Sequence, residues 1–432
     1  MQRVLSKDLR SHAGGLVRLA GWLHRQRRLS KVSFAVLRDA SGLAQVVADD
    51  LHRHAFDGLV EESVIEVTGM AVANDQAPNG VEVVDPSVKV LSTPVERPPL
   101  NLYRPVLGDG LPTVLDLAPL ALRHPLRRAL FRVAASSQAG FRNALEAIAF
   151  TEINTPKIVA SATEGGANVF SIDYFGRRAF LAQSPQFYKQ AMVGVFERVF
   201  ETGPAFRAEP HDTPRHLNEF LSLDAELGFI DDHHDVMTVL RDAISGMVHS
   251  VSERATAETA LLRIELPNVP HPIPEIHFST ALEMLSQATG DDLSAEPDLA
   301  PAHERWLSQW AAEKHGSEFL FITGYPMIKR PFYTHPDPER PEFSNSFDLL
   351  FRGLELVTGG QRLHRYADYV DALAARGESP AAYEAYLQAF KYGMPPHGGF
   401  AIGLERWVAR LAGLDNVRAA TLFPRDRNRL SP

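Results

Sequence analysis

The stretch FRAEPHDTPRHLNEFLSLDAELGF, Phe206 to Phe229, sets Arg207, Glu209, Arg215 and His216 in a proline-broken loop between two segments that read as apolar strands. A loop this charged, taken alone, is explained by a solvated surface hairpin. Only partners elsewhere in the chain can overturn that reading.

Composition bounds the class. The chain has 432 residues, 45% hydrophobic and 22% charged, which is ordinary globular composition with room for two or three domains. No apolar window of about eighteen residues exists, so no helix is expected to span a membrane. The start, MQRVLSKDLRSHAGG, lacks the apolar stretch of a signal peptide, and an intracellular, cytoplasmic protein is expected. Zero cysteines rule out disulfides and Cys-ligated metal centres. A formal charge of -9 disfavours indiscriminate coating of nucleic acid but leaves room for a local basic patch.

Such a patch falls near the N-terminus. Val17 to Arg38 carries Arg18, Arg25, Arg27, Arg28, Lys31 and Arg38, with His24 among them and no acid. It lies within alternating segments, LVRLAGWLHRQ, VSFAVLRDAS, LAQVVADD, VIEVTGMAVA and VEVVDPSVKV, separated by turn-prone Ala40-Ser41-Gly42 and Pro78-Asn79-Gly80. Short strands at this spacing predict a small β-barrel. Phe34 and Gln45 are expected to face each other across the hairpin at Ser41-Gly42. Positive charge tracks phosphates, a ring stacks on a base and an amide reads its edge, so the segment suits single-stranded nucleic acid. The alternative is that Phe34 is core and the arginines are merely solvated.

Pro94, Pro98, Pro99, Pro105 and Pro112 then punctuate the chain, so the barrel is expected to end near residue 100. The expected organisation is a barrel over 1–103, a hinge over 104–125 and a second domain over 126–432. Leu126, Leu130, Val133, Phe141, Leu145 and Ile148 recur at helical steps, predicting an amphipathic helix through about Phe150. Pro156 stops helical continuation, and Gly165-Gly166 supplies a hinge. The remainder mixes strands (RRAFLAQS, EFLFITGY, FSNSFDLLF, LELVTGGQRL) with helices near 231–253, 299–314, 365–375, 380–391 and 404–412, as an α+β domain would. In HGGFAIGLERWVARLAG, a Gly-rich strand feeds a helix whose inward positions are Leu404, Trp407, Val408 and Leu411, so Arg406 projects from its first turn. Residues 255–300, with LPNVPHPIPEI, yield no role.

These segments together resemble the class II (subclass b) aminoacyl-tRNA synthetases, and within them the archaeal-type aspartyl enzymes of the non-discriminating Asp/Asn form. The resemblance covers nearly the whole chain: GWLHRQRR and the barrel strands, INTPKI, FRAE…RHLNEF…DAE and AIGLER as three class motifs in order, with QSPQFYKQ and LELVTGGQRLH between them. It implies an N-terminal OB-fold anticodon-binding domain and a catalytic domain on an antiparallel sheet. It also implies ATP and magnesium, activation of L-aspartate, and transfer to the 3′-end of tRNA-Asp and of tRNA-Asn.

By resemblance, the opening hairpin lines the ATP site. Arg207 meets the α-phosphate, His216 lies toward the γ-phosphate, Phe220 stacks on adenine, Arg406 covers its other face, and Glu209 orders the loop and the terminal adenosine. Arginine suits the stacking role better than lysine. Asp348 and Glu355 match the metal carboxylates, with Thr358 a third candidate; the plain alternative is a surface acid pair. Lys189 and Arg362 match the residues that select the substrate side-chain carboxylate over an amide. Glu164 in SATEGGA closes over the α-amino group, and Ser184 and Gln186 line the same pocket.

Phe34, Gln45 and Glu82 match the anticodon readers, beside Arg25. In strict tRNA-Asp enzymes of this type, a tryptophan tends to occupy the position of His24 and a lysine that of Pro78. Both departures point to an enzyme that also charges tRNA-Asn, whose product an amidotransferase converts. The segment ending near Pro156 implies a homodimer, the alternative being a helix packed only in its own core. Three rivals remain: a strictly tRNA-Asp-specific enzyme, an aspartate-activating ligase like the synthetase-related asparagine synthetases, and a non-catalytic RNA-binding relic.

Overall fold

The computed structural model describes residues 1–432 apart from 53, 161–167 and 211, and the chain divides into two units, Met1–Arg128 and Ala129–Pro432. In the first, strands β1 (Leu16–Arg28), β2 (Ser33–Arg38), β3 (Leu43–Ala48), β4 (Val64–Ala73) and β5 (Val81–Ser92) close into a barrel in the order β1-β2-β3-β5-β4. Alternation drives it: Val17, Leu19, Leu23, Ala35, Leu37, Val46, Ile65, Val67 and Val83 fill the interior while their neighbours face out. Closure brings β1 against β2 so tightly that a Cβ on Gly21 would stand 2.3 Å from the Arg38 carbonyl oxygen, so no other residue fits there.

Three expectations for this barrel need correction. Phe34 pairs with Val47, and Gln45 with Val36, so Phe34 and Gln45 are diagonal neighbours on one face rather than direct partners. The register of β1 against β2 jumps between Leu23 and Arg25, which leaves His24 as the extra residue of a bulge. The bulge turns His24 inward: it is 6% exposed, and its Nδ1 lies 3.1 Å from Arg38 Nη1. Arg38 is likewise buried, bound at both nitrogens by Glu62 at 2.7 and 2.8 Å. With Arg18 paired to Glu66 and Arg28 to Asp57, the basic run is a smaller exposed patch than its sequence implies.

In the second unit the strands are β6 (Thr151–Glu152), β7 (Ile158–Val159), β8 (Ser171–Tyr174), β9 (Arg177–Leu181), β10 (Arg198–Phe206), β11 (Glu219–Gly228), β12 (Glu275–His277), β13 (Phe319–Thr323), β14 (Ser346–Phe351), β15 (Leu354–Arg362) and β16 (His397–Gly403). A small sheet runs β7-β9-β8, and the main eight-stranded sheet runs β12-β13-β14-β15-β16-β11-β10-β6. Its six central strands are antiparallel, whereas both edges pair in parallel, β12 on β13 and β6 on β10. The sheet is therefore mixed rather than purely antiparallel. One face is covered by helices Pro125–Ala147, His233–Arg254 and Leu404–Leu411, whose apolar stripes share a core with Phe200, Phe347, Phe351 and Phe400. Trp407 sits fully buried there and donates from Nε1 to Ser137 Oγ at 2.9 Å.

Helix Gln186–Phe196 was not expected as a helix. It has no amphipathic stripe to read, because Gln186, Lys189 and Gln190 are buried beside Phe187 and Val193. The segment without an assigned role contains helices Thr256–Leu262 and Phe278–Thr289 and strand β12. Helix Phe278–Thr289 packs with Pro301–His315 over β13 and β14 through Leu282, Leu285, Leu307, Ala311, Leu320 and Leu350.

Candidate active site

The charged loop of the opening hairpin lines a cavity. β10 pairs with β11 from Arg198↔Leu227 to Phe206↔Glu219, so the loop between them springs from rigid strands. Asn218 holds its base: its carbonyl accepts from the Arg207 N–H at 2.9 Å, and its Nδ2 donates to the carbonyls of Arg207 at 2.6 Å and Glu209 at 3.3 Å. At the tip, Arg418 donates to the Thr213 carbonyl at 3.0 Å and to Asp212 Oδ1 at 2.5 Å. Sequence reasoning missed both anchors.

Arg207, Glu209, His216, Phe220, Glu355 and Arg406 all line this cavity, and Arg215 joins them. The Arg207 guanidinium lies 5.5 Å from the Phe220 ring centroid, and Glu209 is 4.0 Å from Arg207 and 3.5 Å from His216. Arg406 donates to the Glu355 carbonyl at 3.2 Å, with 3.6 Å to its carboxylate. Next to it, Glu405 accepts the Leu221 N–H at 3.0 and 3.1 Å, and burial pushes its carboxyl up to about 7. The site thus concentrates cations and a half-buried ring along one wall, which suits a polyanion carrying an aromatic base.

A second cluster lies buried between helix Gln186–Phe196 and strands β11, β15 and β16. Lys189 Nζ donates to Asp224 Oδ1 at 2.9 Å and to the Phe400 carbonyl at 3.1 Å, with Glu226 at 3.4 Å. Arg362 donates from Nε to Glu226 Oε1 and from Nη2 to the Gly399 carbonyl, each at 3.0 Å. Burial alone would raise the Glu226 carboxyl, but Arg362 and Lys189 bring it below its ordinary value. Gly399 makes the space for this carboxylate, since a Cβ there would meet Glu226 Oε2 at 2.1 Å.

Two cations therefore face two anions, and the ammonium is already engaged by the protein. Lys189 contributes mainly charge, while Arg362 Nη1 carries no protein hydrogen bond among the described residues. Asp224 and Glu226 stand in the quoted hairpin yet carried no role in the sequence reading. Ser184 Oγ accepts the Gln186 N–H at 3.2 Å, and the Gln186 amide turns to Gln190 at 3.0 Å. Gln190 in turn donates to Tyr369 at 3.1 Å and meets His397 at 3.0 Å, so this wall of the cluster is locked. Glu164 and the Gly165-Gly166 hinge lie outside the described residues.

Asp348 sits opposite Thr358 in the β14–β15 register, and the Thr358 hydroxyl donates to Glu355 at 3.3 Å. Burial raises the Asp348 carboxyl to about 6, Arg330 at 3.0 Å opposes the rise, and nearby Glu355 adds to it. Two carboxylates held close with a hydroxyl form an all-oxygen donor set of the kind hard divalent cations take, and a cation would relieve their repulsion.

On the barrel, Glu82 pairs with Gln45 in register and its Oε2 accepts from both Gln45 and Asn74 at 2.9 Å. Phe34, half-buried, stands diagonally across from Gln45. Arg25 is exposed and lies 5.0 Å over the Tyr103 ring. Pro78 opens a short turn, Pro78–Gly80, in the loop that follows Asn74. His24 is buried against Arg38 and only 6% exposed.

A cavity walled by arginines and a buried cluster of paired acids and bases share one sheet with six antiparallel central strands, accompanied by a five-stranded barrel, and the chain belongs to the family described as tRNA synthetases class II (D, K and N), which it matches over residues 112–427. Residues 17–91 match the OB-fold nucleic acid binding domain. The aspartate–tRNA(Asp/Asn) ligase of Thermus thermophilus is 46% identical over 430 residues, covering 100% of both chains. The aspartate–tRNA(Asp) ligase of Pyrococcus furiosus is 38% identical over 97% of each. Among solved structures, asparaginyl-tRNA synthetase from Pyrococcus horikoshii with asparaginyl-adenylate superposes with a TM-score of 0.93 at 32% identity, covering 100% of both chains. The backbone is thus shared by enzymes for different amino acids, and the choice between them must lie in side chains.

Proposed function

We propose that this chain is an aspartate–tRNA ligase that charges both tRNA-Asp and tRNA-Asn. The observation that carries it is the buried Lys189–Asp224–Glu226–Arg362 cluster, which leaves an arginine edge for a carboxylate. The full-length likeness to an Asp/Asn ligase supports the dual tRNA range.

In the first step an oxygen of the aspartate α-carboxylate attacks the α-phosphorus of ATP. The bond to the bridging oxygen breaks and pyrophosphate leaves, giving aspartyl-adenylate. No protein nucleophile is needed; positioning two anions and neutralising the transition state carry the rate. Arg207 stabilises the α-phosphate, Phe220 and Arg406 sandwich the adenine, and Glu209 and His216 hold the loop against the triphosphate. Arg362, with the charge of Lys189, fixes the substrate side chain, and Ser184, Gln186 and Glu164 complete its pocket. Asp348, Glu355 and Thr358 would hold magnesium, which supplies charge neutralisation to the phosphates when bound. In the second step a hydroxyl of the tRNA's terminal adenosine attacks the aspartyl carbonyl, releasing AMP.

Phe34 stacks on the anticodon, with Gln45 and Glu82 reading a base edge and Arg25 meeting the backbone. Asn74 joins them through its bond to Glu82. His24 acts through the shape of the bulge, and Pro78 through the loop beside Asn74. Aspartyl-tRNA-Asn is then the substrate of a separate amidotransferase, in the cytoplasm where tRNA and ATP meet. A homodimer through the segment around β6 is the assembly proposed: β6 is the exposed edge of the main sheet, and Ile158 is 50% exposed nearby. Sedimentation at nanomolar concentration should show the dimer, and an active monomer there would count against it.

Amino-acid-dependent ATP–pyrophosphate exchange tests the core reading. Aspartate should support exchange and asparagine should fall short by about a thousandfold or more, because a site built for a carboxylate leaves its charge unpaired against an amide. Equal exchange with both, or with neither, would refute the assignment.

A further inference from the structure

We infer that Glu304 is a positioning residue for ATP, holding Arg215 on the wall of the nucleotide cavity and fixing the strand start that carries Glu355. The inference rests on the cavity being the ATP site. Glu304 comes from helix Pro301–His315, just after the segment 255–300 that carried no assigned role, and is 5% exposed. One oxygen, Oε2, accepts from two directions: Arg215 Nη2 at 2.5 Å and the Glu355 backbone N–H at 2.9 Å. Arg215 belongs to the loop between β10 and β11 and lines the cavity.

The carboxylate thus joins three parts of the chain that are distant in sequence: the hairpin loop, the helix, and the start of β15. Its own placement is rigid, since Leu307 and Ala311 on the same helix are fully buried against β13 and β14. An arginine on a twelve-residue loop would otherwise sample many rotamers, and charge-assisted pairing to a fixed acid restricts them before the nucleotide arrives. Arg215 keeps donors beyond Nη2 for a phosphate, so the pair orients the guanidinium without exhausting it.

Glu304→Gln tests this while keeping the size and an acceptor for the Glu355 N–H. In pyrophosphate exchange it should raise the KM for ATP about tenfold and leave the KM for aspartate within about twofold, and any fall in thermal midpoint should be shared by Arg215→Gln. Glu304→Asp should recover part of the loss. In an Arg215→Gln background, Glu304→Gln should add little, because both changes break one interaction. An unchanged KM for ATP in Glu304→Gln, or an undiminished effect in the Arg215→Gln background, would overturn the inference. Arg406→Ala serves as the control: if it too leaves the KM for ATP unmoved, the ATP reading of the cavity fails, and this inference with it.

Discussion

Arg362→Gln should lower kcat/KM for aspartate by about a thousandfold in pyrophosphate exchange, with the KM for ATP little changed. The substitution removes two things at once. It deletes the guanidinium proposed to hold the substrate carboxylate, and it strips Glu226, which is fully buried, of its hydrogen-bonded cation. Breaking a buried pair from one side costs about 3–5 kcal/mol, so a drop in thermal midpoint is expected as well. Arg362→Lys separates the effects: it restores a charge near Glu226 but not the fork that reaches both Glu226 and the Gly399 carbonyl. That variant should fold like the parent and remain about a hundredfold impaired toward aspartate. Near-parental aspartate kinetics in a folded Arg362→Lys enzyme would mean that substrate charge is read elsewhere.

Arg207→Ala should reduce kcat for aspartate activation by about 10²–10³-fold, as expected when a preorganised donor to the developing charge is removed. The KM for aspartate should stay near its parental value, because Lys189 and Arg362 come from helix Gln186–Phe196 and β15 and bond to Asp224, Glu226 and backbone carbonyls rather than to Arg207. The Asn218 hydrogen bonds to the loop are made to backbone carbonyls, so the loop should keep its course without the guanidinium. Single-turnover adenylate formation measures this directly, and a variant that forms adenylate at the parental rate would remove Arg207 from the chemistry.

The two predictions rest on residues of unequal legibility in sequence. The barrel could be read because its strands alternate, Val17, Leu19 and Leu23 in LVRLAGWL meeting the interior at period two. That period also set the limit: one extra residue in the β1 bulge sends both Leu23 and His24 inward, and no pattern in GWLHRQ announces it. The same bulge buries His24 against Arg38, so the proposed influence of this position on tRNA choice runs through the shape of the bulge. Arg207, Phe220 and Arg406 were legible because their motifs carry a family's spacing, and the structure brings them to one cavity.

Asp224, Glu226 and Glu304 were not legible. An acid inside a strand or helix reads as a solvent-facing residue, and only the fold shows that each is buried against a cation. Helix Gln186–Phe196 was hidden for the related reason that its polar residues point into the protein rather than away from it. Where polar side chains are buried for function, the contrast on which periodicity depends disappears.

The most direct test of the account is aspartylation of purified tRNA-Asp and tRNA-Asn transcripts side by side, with a no-tRNA control. Aspartate should be esterified to both, at rates within about one order of magnitude of each other, as the His24 and Pro78 departures from the strict tRNA-Asp pattern imply. Charging of tRNA-Asp alone, with tRNA-Asn about a thousandfold slower, would contradict it and make this a strictly tRNA-Asp-specific enzyme.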